Sequence, residues 1–190
     1  MYNPNTTDNQ EEVYDVVNEE DEVLGTATRK QVHSDPKLIH RAAGVYIFNK
    51  KKHLLMQKRS MTKDMFPGYW VFSVGGHVNS GDSYEKTAVR ELSEELGVNV
   101  PLTHWMKIFQ PGVHESEFWA MFYGLHEGPF PGFNTVEAQE VRFFDIVDLI
   151  TSVENGSILM PPNAVRLLPL IQTLLESGKI DQMIEETKNI

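Results

Sequence analysis

Short apolar runs separated by polar or acidic turns fill the first half of the chain. "VYDVV" and "VLGTAT" flank the acidic segment "NEEDE", which predicts an antiparallel hairpin within 12–29. "HRAAGVYIFN" (40–49) is rich in β-formers and is followed by the polar turn "KKKH", so "LLMQKR" (54–59) reads as its partner strand. "MFPGYWVFSV" (65–74) joins a Pro-Gly turn to an aromatic strand. A helical period emerges at 82–96, where Ala88, Val89, Leu92 and Leu96 fall on one stripe. Strands are predicted again at 117–125 and 140–146, then a helix over 163–178 that Pro169 must kink or divide, and a short final helix over 179–190. No internal repeat or low-complexity linker interrupts the chain. The order β-β-β-α-β-β-α suits an α/β fold, a mixed β-sheet flanked by helices.

The helix at 82–96 raises a chemical question. Asp82 is placed as its N-cap, with Glu85 in capping-box spacing, and Gly97 as its C-terminal stop. Beside the apolar stripe, Glu91, Glu94 and Glu95 share an arc of about 100°, and Glu91 and Glu95 repel each other as i,i+4 neighbours. A solvated acidic face is one reading. The other is a site for a hard cation such as Mg²⁺ or Mn²⁺, held by carboxylate oxygens with positions left for phosphate and water. Gly75 and Gly76, after the strand "WVFSV", favour a site, because paired glycines permit positive φ and close backbone approach to a ligand.

Composition narrows the classes. The 190 residues are enough to bury about 70% of the unfolded surface in one domain. A net charge of −10 argues against general nucleic-acid binding, although a metal or a local basic cluster could still hold a phosphorylated small molecule. With zero cysteines there is no disulfide, zinc-thiolate site or thiol nucleophile. No apolar run approaches a membrane span, and "MYNPNTTDNQEE" lacks the apolar region of a secretory signal, so a cytoplasmic protein is expected.

Residues 76–98 resemble the Nudix box. Gly76, Asp82, Arg90, Glu91, Leu92, Glu94, Glu95, Gly97 and Val98 take its positions, with aspartate at 82 where the family usually has glutamate. The resemblance implies a Nudix α/β/α sandwich over 37–190, preceded by a flexible lead at 1–11 and a hairpin extension at 12–36. It also implies metal-dependent water attack on a diphosphate, with a homodimer as a possible assembly. By position, Glu91, Glu94 and Glu95 would hold the metal, and Arg90 would orient an acid by an ion pair with Asp82 nearby.

Outside the box, "HRA", "LLMQKRS", "PGYW" and "GGH" look like the branch nearest to metal-dependent isopentenyl diphosphate isomerase. That likeness places His33, His40, His77, Glu115 and Glu117 at a second metal site. It places Arg29, Arg59 and Lys63 as diphosphate contacts, beside Gly75 and Gly76. Read singly, His33 would cap a loop, His40 would begin a strand and His77 would donate a structural hydrogen bond; Arg59 and Lys63 would be solvated strand-end charges. The isomerase has its catalytic cysteine where this chain has Gly75, and allylic proton transfer needs a positioned acid and base. A pyrophosphohydrolase is therefore expected over an isomerase, and over a module that binds a nucleotide without cleaving it. For the catalytic base, Glu137 leads Glu140, and Glu94 competes. Phe118, Trp119 and Tyr123 are expected mainly in the core, with one ring available to stack on a base.

Overall fold

The computed structural model describes residue 6, residues 8–113 and residues 115–187. The chain begins with the antiparallel pair β1 (Val13–Val17) and β2 (Val23–Thr28), followed by the single-turn helix α1 (Arg29–Val32). Strands β3 (His40–Phe48), β4 (Leu54–Arg59), β5 (Trp70–Phe72) and β6 (Val74–His77) lead into helix α2 (Tyr84–Leu96). Strands β7 (Thr103–Gln110), β8 (Glu117–Leu125) and β9 (Ala138–Phe144) follow. Helices α3 (Ile146–Glu154), α4 (Pro162–Val165), α5 (Leu168–Glu176) and α6 (Lys179–Thr187) come last.

Strands β3 to β9 form one mixed sheet in the order β5-β4-β3-β8-β7, with β6 pairing β3 and β9 pairing β4. β3 and β8 run parallel, and the remaining pairs are antiparallel. Both faces of the sheet are covered, which is why β3 and β8 are nearly continuous apolar runs. On one face Tyr46, Phe48 and Met121 pack against Leu149, Ile171 and Ile180 of the later helices. On the other, Val45, Ile47 and Phe122 pack against Ala88, Leu92 and Leu96 of α2. The architecture is the expected α/β/α sandwich with an N-terminal hairpin.

Several boundaries differ from the sequence reading. Ser83, not Asp82, caps α2, its hydroxyl accepting the Lys86 N–H, and Asp82 instead pairs with Lys86. Val89 is 49% exposed, and Glu95 is buried on the core side of the helix in its place. Gly75 and Gly76 lie in strand β6, and neither adopts positive φ. Helix α3 was hidden by its β-branched residues, which extend the strand pattern of β9; Asp145, accepting the N–H groups of Val147 and Asp148, switches the chain to helix. Edge strand β7, with exposed and half-buried residues interleaved, lacks a strong apolar signal. Pro169 divides the later helical stretch as expected, standing in the first turn of α5, where a missing N–H is harmless.

The hairpin is docked. Asp21 at its turn takes a left-handed backbone (φ 65°) and accepts from Arg41 at 2.6 Å, Lys107 at 2.7 Å and Tyr84 at 3.0 Å. Ser80 adds a bond to Asp15 at 2.6 Å. This anchoring brings Tyr14 and α1 over the end of β6 and β3. Of the lead at 1–11, residues 1–5 and 7 lie outside the described residues, and Asp8 is folded against Lys63 and Asp64.

Candidate active site

A cavity of about 370 Å³ opens between the hairpin, the inner strands and α2. Its acidic wall is the face of α2. Glu91 leans onto β6 at the position of Gly76, where an added Cβ would fall 2.1 Å from Glu91 Oε1, so only glycine leaves room for that carboxylate. Arg90 bridges Glu91 at 2.8 Å and Glu94 at 3.0 Å, and it also donates to the backbone oxygen of His77 at 3.3 Å, tying the helix to β6. Arg90 thus pairs with Glu91 and Glu94, while Asp82 is engaged elsewhere. Glu95 Oε2 accepts from Gln57 Nε2 of β4 at 2.7 Å. Burial pushes Glu91 up to about 7 against the pull of Arg90, and burial plus the charge of Glu91 pushes Glu95 up to about 8.

The second cluster is set by strand register. In the parallel pair, His40 lies opposite Glu117, and β6 brings His77 to Ala42 of the same strand. Glu117 Oε1 is 3.3 Å from His40 Nε2 and 3.2 Å from His77 Nε2. His33, just past α1, reaches His77 Nε2 at 3.1 Å and Glu115 at 3.4 Å. Tyr14 stacks on His77 with centroids 4.8 Å apart, and Trp119 Nε1 donates to Glu117 Oε2 at 2.7 Å. Burial would raise Glu117, but the imidazoles of His40 and His77 beside it outweigh that and hold it well below the usual carboxylate range. Glu115, by contrast, is raised by burial and by the charge of Glu117.

The donor atoms of His33, His40 and His77, and of His40, Glu115 and Glu117, converge within 4.8 Å. His40 Nε2 is buried without a hydrogen-bond partner, as expected of a lone pair kept for a cation. Imidazole and carboxylate together suit Mn²⁺ or Zn²⁺. His77 fits less well, because its Nδ1 lies 3.1 Å from Arg29 Nη1, which can only donate. That bond puts the neutral ring's proton on Nε2, facing Glu117. The α2 carboxylates fit a hard cation, since Glu95 is buried and Glu91 half-buried with one arginine to offset them.

Arg29, Arg59 and Lys63 all line the cavity but differ in partners. Arg29 is locked to buried Asp64 at 3.0 Å, and Lys63 Nζ bonds Glu137 at 2.7 Å. Arg59 Nε donates to the Met65 carbonyl at 2.8 Å, and no carboxylate pairs with it among the described residues. Glu137 lines the cavity; Glu140 sits outside it beside Arg142. Phe118 and Tyr123 are buried, whereas Trp119 joins Tyr46, Phe72, Met121 and Leu167 along the cavity's apolar side. Sequence reasoning missed Tyr14, Gln57 and Asp64. Tyr14 and Gln57 look like ordinary strand residues, and Asp64 next to Lys63 looks like a surface turn.

Fold and site define a class. The chain belongs to the NUDIX domain family, whose pattern matches residues 38–164, and it is an enzyme of the Nudix hydrolase type. Among its relatives, an uncharacterized Nudix hydrolase of Pseudomonas aeruginosa is 34% identical over 131 residues, covering 67% of this chain and 75% of that protein. The prenyl-diphosphate phosphatase of Methanosarcina mazei is 33% identical over 138 residues (73% of this chain, 75% of that protein). Nudix hydrolase 3 of Arabidopsis thaliana is 44% identical over 101 residues, 52% of this chain but only 13% of the plant protein. The crystal structure of DR0079 from Deinococcus radiodurans superposes with a TM-score of 0.73 at 26% identity, covering 84% of this chain and 99% of that one. No helix among the described residues is long and apolar enough to cross a membrane.

Proposed function

We propose that this protein hydrolyses the diphosphate of a small molecule whose organic part is apolar, using Mg²⁺ or Mn²⁺ held by Glu91, Glu94 and Glu95. The observation that carries this reading is one cavity with three linings: carboxylates from α2, cations from Arg59 and Lys63, and an apolar side made by Tyr46, Phe72, Trp119, Met121 and Leu167. The relative named as a prenyl-diphosphate phosphatase supports the same substrate class. A nucleoside diphosphate derivative is the broader alternative, its base stacking on Trp119.

A divalent ion at the box would neutralise phosphate charge and acidify a water. Arg59, with its guanidinium edge open to the cavity, would grip the diphosphate in bidentate fashion. Glu137 would take the proton of the attacking water, with Lys63 beside it. Glu94, the most exposed of the three box glutamates at 56%, would compete for that role. Arg90 would hold Glu91 and Glu94 in orientation. Position 75 offers no side chain for the proton shuttle of an isomerase, so deuterium exchange into isopentenyl diphosphate is expected to be absent. A cytoplasmic location, with a homodimer as the candidate assembly, completes the proposal.

The test is a panel of prenyl diphosphates, isopentenyl diphosphate, nucleoside di- and triphosphates, dinucleotides and sugar nucleotides, each with Mg²⁺, Mn²⁺ or EDTA. Metal-dependent release of phosphate or pyrophosphate from prenyl diphosphates is the expected result. Cleavage confined to nucleotides would overturn the apolar substrate class. Silence on every compound, with a thermal shift from one of them, would favour a binding module.

A further inference from the structure

Asp8 stands in the cationic part of the cavity although it belongs to the segment before the hairpin. Its carboxylate pairs with Lys63 Nζ, accepts the backbone N–H of Asp64 at 3.0 Å and lies 3.9 Å from Arg29 Nη2. The side chain is 8% exposed. Thr6 braces it, the hydroxyl donating to Asp8 Oδ2 at 2.8 Å and accepting the Asp8 N–H at 3.0 Å. An ammonium and a backbone amide donating to one pair of oxygens, with a guanidinium charge 3.9 Å away, form a setting that also suits a phosphate group.

We infer that the Asp8 carboxylate occupies, in cis, the subsite for one phosphate of the substrate, so that substrate enters by displacing it and Asp8 sets the affinity for the diphosphate. The inference rests on the function proposed above. Displacement is feasible because neither cation is left bare when Asp8 withdraws: Arg29 keeps Asp64, and Lys63 keeps Glu137. In the absence of substrate the tethered carboxylate is a third, supernumerary acceptor shared by the two buried cations. A tethered competitor acts at an effective concentration on the order of millimolar. The fraction of molecules with the subsite open then scales the apparent affinity directly, and removing the competitor should tighten binding by about tenfold.

The experiment is calorimetric titration of the full chain with imidodiphosphate, a diphosphate that resists hydrolysis, at fixed excess Mg²⁺. Asp8→Asn and Asp8→Ala should both bind it about tenfold more tightly than the wild type, while Asp8→Glu, which keeps the charge, should remain near wild type. Equal or weaker binding in both the Asn and Ala variants would overturn the inference. Binding is read without turnover, so the two readings can fail separately. Tighter binding with no turnover of any diphosphate would leave the Asp8 subsite standing and remove the hydrolase. Turnover in a protein whose Asp8 variants bind no tighter would do the reverse.

Discussion

Gly76 and Glu91 compete for one volume, and the glycine settles the contest in favour of the carboxylate. Gly76→Ala should therefore displace Glu91 from β6 and raise the Mg²⁺ concentration needed for half-maximal turnover at least several-fold. Circular dichroism should be near that of the wild type, because β6 tolerates a methyl group in its backbone geometry. Glu95→Gln probes the same wall differently. The amide can still bond Gln57, so the fold should hold while turnover falls by orders of magnitude. Normal rates in Glu95→Gln would remove the metal assignment. Arg59 supplies a third residue-scale prediction. Arg59→Ala should raise KM for a diphosphate more than it lowers kcat, since the role proposed for the guanidinium is to grip phosphate and not to activate water.

Helix α2 matters as a unit because its C-terminal end holds the loop that carries Glu137. A Cβ added at Gly97 would lie 2.6 Å from Gly132 Cα, and the Asn134 N–H donates to the Glu95 carbonyl at 2.7 Å. Gly97 adopts φ 68° as the helix cap, so the two glycines let helix end and loop touch backbone to backbone. Gly132→Val should push the loop away, lowering kcat while leaving Mg²⁺ binding to α2, followed calorimetrically, within a few-fold of wild type. The helix also predicts a pH effect on stability. Glu91 and Glu95 have folded values near 7 and 8, above the unfolded carboxylate range, so the folded state holds extra protons and their contribution is lost as pH rises through those values. Between pH 7.5 and 8.5, above the titration of unfolded histidine, metal-free protein should lose on the order of 1 kcal/mol of stability. Thermal melts in EDTA should show that decline, and added Mg²⁺ should raise Tm most at the alkaline end. A flat profile would mean that the two carboxylates are not held as described.

At the level of the whole molecule, the sandwich and the box were legible because both rest on local signals: apolar runs, turn residues, and a helix with fixed spacing. Glu91, Glu94 and Glu95 could be placed on one arc of the helix from sequence for that reason, whereas Gly76, expected in a glycine loop, lies in strand β6. Partners that meet through the fold were not legible. Gln57 reaches Glu95 across the sheet, Asp64 locks Arg29 from a loop, and Asp21 gathers Arg41, Tyr84 and Lys107 at the far end of the hairpin. Helix α3 was lost for a local reason, since Ile, Val and Thr in its sequence read as strand until Asp145 is seen to cap it. The same lack of long-range information hid Asp8, whose sequence neighbourhood is polar and unremarkable in pattern.

The parallel pairing of β3 with β8 has a kinetic consequence. His40 and Glu117 are opposite each other only in the native register, and a two-residue slip of that ladder would separate them while still presenting apolar side chains to both layers. Closing a ladder between segments so distant along the chain is slow, because much of the loop entropy is lost before the contacts form. If the histidine cluster takes up a divalent ion as proposed, that uptake would be a clock for closure of this ladder. During refolding, capture of Mn²⁺ there should lag the return of helical signal and coincide with burial of Trp119, the ring held by Glu117.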